Sequence, residues 1–95
     1  MDIRAAQDLM LQIYGDRDKK RGVEGTFMWL VEEIGELSVA IRKKEIKDIR
    51  EEFADVLAWL FSLANVLDID VSTCFMAKYC YVCPRCKSSP CKCNL

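Results

Sequence analysis

Two helical stretches of this chain carry the same acid-and-indole pattern in mirror order, and that symmetry calls for a hairpin. At about 100° per residue, Trp29, Glu33, Glu36 and Ala40 share one stripe of the first stretch. Phe27, Leu30, Val31, Ile34, Leu37 and Ile41 form an apolar stripe beside it. In the second stretch Glu52, Asp55, Trp59 and Ser62 share a stripe, and Phe53, Val56, Leu57, Leu60 and Leu63 fill the neighbouring surface. Folding the chain back about Lys44 pairs positions whose numbers sum to 88. Glu36 then stands level with Glu52, Glu33 with Asp55, and Trp29 with Trp59.

Four carboxylates gathered across one helix pair repel one another, more strongly in a protein interior than in water. A cation must join them. Hard oxygen donors on rigid helices suit Mg²⁺ or Mn²⁺. One Glu pair at i,i+3 would mean no more than a solvated helix face. Two such pairs in matching register, each continued by a Trp, point to a metal site built between helices.

Ninety-five residues, 52 % of them hydrophobic, bound the chain to one small unit. A net charge of −1 gives no general affinity for nucleic acid, which is not expected as a partner. The chain has no histidine, so imidazole acid–base and imidazole–metal chemistry are excluded. Met1–Arg4 carries an acid and no apolar core, so no signal peptide is expected. The longest apolar run, 56–67, is too short to span a bilayer. These features together predict a cytoplasmic protein without a membrane anchor.

Apolar positions at Ile3, Ala6, Met10, Ile13 and Tyr14 predict a first helix over 3–14, ended by Gly15. Residues 16–25 read as a charged, glycine-punctuated loop whose Lys19, Lys20 or Arg21 could meet a polyanionic substrate. Thr26 is the expected N-cap of a second helix over 26–43, closed by Arg42, Lys43 and Lys44. Asp48 and Glu51 have the spacing of a capping box at the start of a third helix that runs to about Leu67. Asp70 or Ser72 starts a shorter fourth helix, through about Tyr79. The expected fold is an all-α antiparallel bundle of four helices. Phe61, Leu63, Val66, Leu67, Ile69, Val71, Phe75 and Met76 exceed what one hairpin can bury, so the bundle is expected to be completed by homo-oligomerisation.

Residues 80–95 form a separate Cys-rich tail after a helical domain over 1–79. Cys83, Cys86, Cys91 and Cys93 give C-x-x-C followed by C-x-C, a set of four thiolates with no open position. That describes a structural Zn²⁺ site, with an iron–sulfur cluster or redox thiols as alternatives. Cys80 could replace one ligand, and Cys74 reads as a small core residue.

The acidic hairpin resembles the MazG-like all-α nucleoside triphosphate pyrophosphohydrolases, whose signature is E-E-x-x-E, a spacer, then E-x-x-D. Glu32-Glu33-Ile34-Gly35-Glu36 and Glu52-Phe53-Ala54-Asp55 match it, and the resemblance covers about residues 3–79. It implies hydrolysis of an NTP or dNTP to the monophosphate and pyrophosphate, with Glu33, Glu36, Glu52 and Asp55 holding Mg²⁺. Glu33 or Glu36 would orient the attacking water. The resemblance also implies dimers or tetramers, aromatics near the base (Trp29 and Trp59 here), and a basic residue at Lys78. The rival reading is a non-catalytic protein that senses a nucleotide–Mg²⁺ complex or bridges partners through its tail.

Overall fold

The computed structural model describes residues 1–94; Leu95, at the end of the expected tail, lies outside them. It is all-helical, with three helices and no strand among the described residues: α1 (Ile3–Lys43), α2 (Ile46–Val66) and α3 (Val71–Lys78). The expected first and second helices are the two limbs of α1, which meet at a single break and not across a loop. The α1 helix runs straight through Gly15, because an interior glycine costs a helix only about 1 kcal/mol and Leu11 lies against its open side. The break falls at Gly22 instead, with φ 82° and ψ 179°, a region open essentially to glycine alone. It divides α1 into limbs over 3–21 and 23–43. Most of the expected 16–25 loop is helix, and Thr26, expected as an N-cap, is a fully buried interior residue.

Asp2 caps α1 by accepting from the Ala5 N–H at 2.8 Å. Lys44 closes it in the left-handed region, so the chain reverses where the acid register requires. The α2 helix starts at Ile46, two residues before the expected cap, and Asp48 sits in its first turn. Its end is a Schellman turn: Asp68 is left-handed, Ile69 N–H donates to Ala64 O at 2.9 Å, and Asp68 N–H to Asn65 O at 3.2 Å. Asp70 caps α3 through the N–H groups of Ser72 and Thr73.

Helix α1 packs mainly on α2. Gln7, buried in the first limb, ties that limb to the α2–α3 turn. Its Nε2 donates to Asn65 Oδ1 at 2.9 Å and Ile69 O at 2.7 Å, and its Oε1 accepts from Val71 N–H at 3.0 Å. An Arg4–Asp70 ion pair at 2.7 Å closes the same end.

The buried apolar core is small: Leu30, Ala40, Phe61 and Ala64. Phe27, Val31, Ile34 and Ile41 of the expected inner stripe are exposed, as are Phe53, Leu57 and Leu60 of α2. Cys74 is exposed too, not a core residue. The radius of gyration is 15.7 Å, against about 12 Å for a compact chain of this length. Among the described residues no single helix is long and apolar enough to cross a membrane.

Candidate active site and thiol cluster

The hairpin brings Glu33 and Glu36, one turn apart on α1, against Glu52 of α2. One carboxylate oxygen from each lies within 4.8 Å of the others. Burial, followed by the neighbouring Glu52 and Glu36 carboxyls, raises the Glu33 carboxyl to about 7. Glu33 Oε2 and Glu52 Oε2 are buried and have no hydrogen-bond partner among the described residues. An acceptor buried without a donor is costly. Two carboxylates with a buried oxygen each and the exposed Glu36 beside them, this near one another, fit a small divalent cation, so the donor set suits Mg²⁺ or Mn²⁺.

Asp55 stands outside that trio, one turn further along α2. It lines a neighbouring pocket of about 260 Å³ with Tyr14, Arg17, Asp18, Arg21, Trp59 and Ser62. Trp29 and Trp59 meet in the expected register, with ring centroids 5.8 Å apart and planes within 14°. They pack on each other, which leaves no slot between them for a third ring.

Of the expected cations, only Arg21 reaches this pocket. Its Cζ lies 4.7 Å from the Trp59 ring centroid. Its Nη1 donates to Asp18 Oδ1 at 2.7 Å and, more weakly, to Thr26 Oγ1 at 3.4 Å. Lys19 lines a different hollow, beside Leu11, Gly15, Asn65, Val66 and Asp68. Lys20 is exposed. Lys78 closes α3, with its Nζ 5.8 Å from the Tyr79 ring.

Asp18 is the residue that sequence reasoning missed. It is 2 % exposed, and its Oδ2 has no partner among the described residues. Reading 16–25 as a loop put Asp18 in solvent. Carrying the helical period past Gly15 would have placed it three turns beyond Gln7, on the same buried face.

Four thiols of the tail, Cys83, Cys86, Cys91 and Cys93, also lie within 4.8 Å of one another. Cys83 and Cys93 sulfurs are 3.8 Å apart, and those of Cys86 and Cys91 are 3.9 Å apart. Four thiolates bound tetrahedrally at about 2.3 Å from one ion stand about 3.8 Å from each other, so the cluster can hold a metal of that size. Cys83 N–H donates to Ser88 O at 3.0 Å, and Lys87 N–H, left-handed at φ 60°, donates to Cys83 O at 2.8 Å. Backbone donors, chiefly Lys92 N–H at 3.3 Å, pull the Cys86 thiol down to about 6. Backbone donors at Cys86 and Arg85 lower Cys83 as well. Hydrogen bonds from Cys91 and Cys86 push Cys93 up to about 11. Cys80 stands outside the cluster.

A model of the MazG nucleotide pyrophosphohydrolase domain matches residues 21–87, from just before the Gly22 break through Lys87. No curated protein matches the chain.

Proposed function

This chain belongs to the MazG nucleotide pyrophosphohydrolase domain family, and from that membership we propose that it hydrolyses an NTP or dNTP to the monophosphate and pyrophosphate. The observation that carries the proposal is the Glu33–Glu36–Glu52 trio, with two of its oxygens buried and unpartnered. Those three residues would hold Mg²⁺ or Mn²⁺, with Asp55, at i,i+3 from Glu52, as the fourth ligand. When bound, the metal neutralises triphosphate charge and acidifies a coordinated water.

The chain's own groups do the rest. Glu33 or Glu36 orients the attacking water and accepts its proton. Attack on the α-phosphorus breaks the α–β anhydride bond and releases pyrophosphate. Arg21 is the cation placed to meet the substrate; Lys19 and Lys78 would need a second subunit or a moved segment. Trp29 and Trp59 form one wall of the nucleotide site, with Trp59 the face toward the pocket.

We further propose that the thiol cluster holds a structural Zn²⁺ and sets residues 80–95 apart from a helical unit over 1–79. A second copy of the chain would cover the exposed rows of Phe27, Val31, Ile34, Phe53, Leu57 and Leu60, giving a cytoplasmic dimer or tetramer. The test of activity is pyrophosphate release, read through added inorganic pyrophosphatase, over a panel of NTPs and dNTPs with and without Mg²⁺. Glu36→Gln and Asp55→Asn should each lower turnover by about a hundredfold or more with an unchanged helical spectrum. Wild-type rates in either variant would overturn the proposal.

A further inference from the structure

The wall of the pocket beside the acid trio already holds a planar, nitrogen-rich group, and that group is the side chain of Arg21. The guanidinium lies over Trp59 with Cζ 4.7 Å from the ring centroid. It also donates an N–H to Asp18 Oδ1 at 2.7 Å. A flat cation with in-plane N–H donors, stacked on an indole and hydrogen-bonded to a carboxylate, has the outline and donor pattern of an aminated heterocycle. Asp18 is 2 % exposed, and its second oxygen finds no donor among the described residues. Tyr14, Arg17, Asp55, Ala58 and Ser62 complete the pocket, which leaves about 260 Å³ open beside the guanidinium. Moving Arg21 off the ring adds the guanidinium's own space to it, room for a base.

We propose that Arg21 occupies the place of the nucleobase, and that Asp18 selects bases that carry an exocyclic amine, as cytosine (N4) and adenine (N6) do, over bases with a carbonyl at that corner of the ring. This rests on the reading of the site as a nucleotide site. The base takes the Trp59 face and gives its amine N–H to Asp18. Displaced from the ring, the Arg21 guanidinium is free to pair with phosphate oxygens. Uracil and thymine present a carbonyl where cytosine has its amine, and a carboxylate facing a carbonyl is repelled. Guanine carries its O6 carbonyl at that same corner of the ring and is expected to fall with uracil and thymine. Asp18 acts as a specificity residue and stays clear of the reacting phosphorus.

The chain has two tryptophans, and both lie in the stack beside this pocket, so their fluorescence reports base binding without turnover. CTP, ATP, UTP, dTTP and GTP are titrated against the wild-type protein with Ca²⁺, and kcat/KM is measured for the same set with Mg²⁺. The expected result is that CTP and ATP bind and react about tenfold or more better than UTP and dTTP. Asp18→Asn, which swaps one acceptor for a donor, should shrink or reverse that ratio between CTP and UTP. Equal binding of amino and oxo bases by the wild-type protein overturns the proposal, whatever the variant does. Discrimination in fluorescence without turnover would keep the base assignment and sink the hydrolase reading, whereas turnover without discrimination would do the opposite.

Discussion

Trp29 of α1 and Trp59 of α2 stack 5.8 Å apart across the hairpin, and this contact locks the register that brings Glu33 and Glu36 to Glu52. Aromatic pairs of this geometry contribute about 0.5–1.5 kcal/mol beyond the area they bury. A double-mutant cycle on Trp29→Ala and Trp59→Ala, read by urea unfolding, should give a coupling energy in that range. A coupling of zero would mean that the register has another origin.

Glu33 ties stability to pH in a definite direction. Its carboxyl titrates near 7 in the folded chain, against an ordinary value of 4.5. Between those values the folded state holds a proton that the unfolded state has released. Stability of the metal-free protein should therefore fall as pH rises from about 4.5 to about 7, then level. Mg²⁺ needs the carboxylate, so its affinity should climb over the same interval. Glu33→Gln should flatten both trends. Chemical denaturation across pH, with and without Mg²⁺, checks this; identical slopes in wild type and variant would refute it.

The thiol cluster should carry one zinc per chain. Metal analysis of the purified protein, followed by release with a chromogenic chelator, gives the count. Cys83→Ser should lose the ion and lower the melting temperature while leaving α1 and α2 helical, because neither helix supplies a ligand. A melting temperature unchanged by chelation would show that the tail is not stabilised by metal.

Two glycines with open space around them should respond in opposite ways to alanine. Beyond the local backbone, no described atom lies within 4 Å of where a side chain would begin at Gly22 or at Gly35. Gly22, at φ 82°, cannot take a side chain without strain, and Gly22→Ala should cost about 1–3 kcal/mol. Gly35 is ordinary helix, and Gly35→Ala should stabilise the chain by about 0.5–1 kcal/mol. Thermal unfolding of the two variants separates backbone geometry from packing as the reason for each glycine.

The sequence alone determined that the acid stripes of Glu33 and Glu36 and of Glu52 and Asp55 face each other, along with the indole pair and the reversal at Lys44. All three follow from the helical period and one short turn, which are local properties. It also determined the four thiols that converge, because C-x-x-C and C-x-C confine their sulfurs within a few residues. Only the tertiary structure decided the course of residues 15–26. There the local signals, two glycines and a run of charges, favour a loop, yet packing on α2 carries the helix through Gly15 and moves the break to Gly22. That continuation buried Asp18, set Arg21 on Trp59 and made a pocket beside the acids. It also kept Asp55, shorter than its glutamate neighbours by one methylene, on the pocket wall outside the trio. Spacing along the chain governs which groups share a face; which faces meet, and at what depth, depends on the packing of whole helices, which no short window of residues contains.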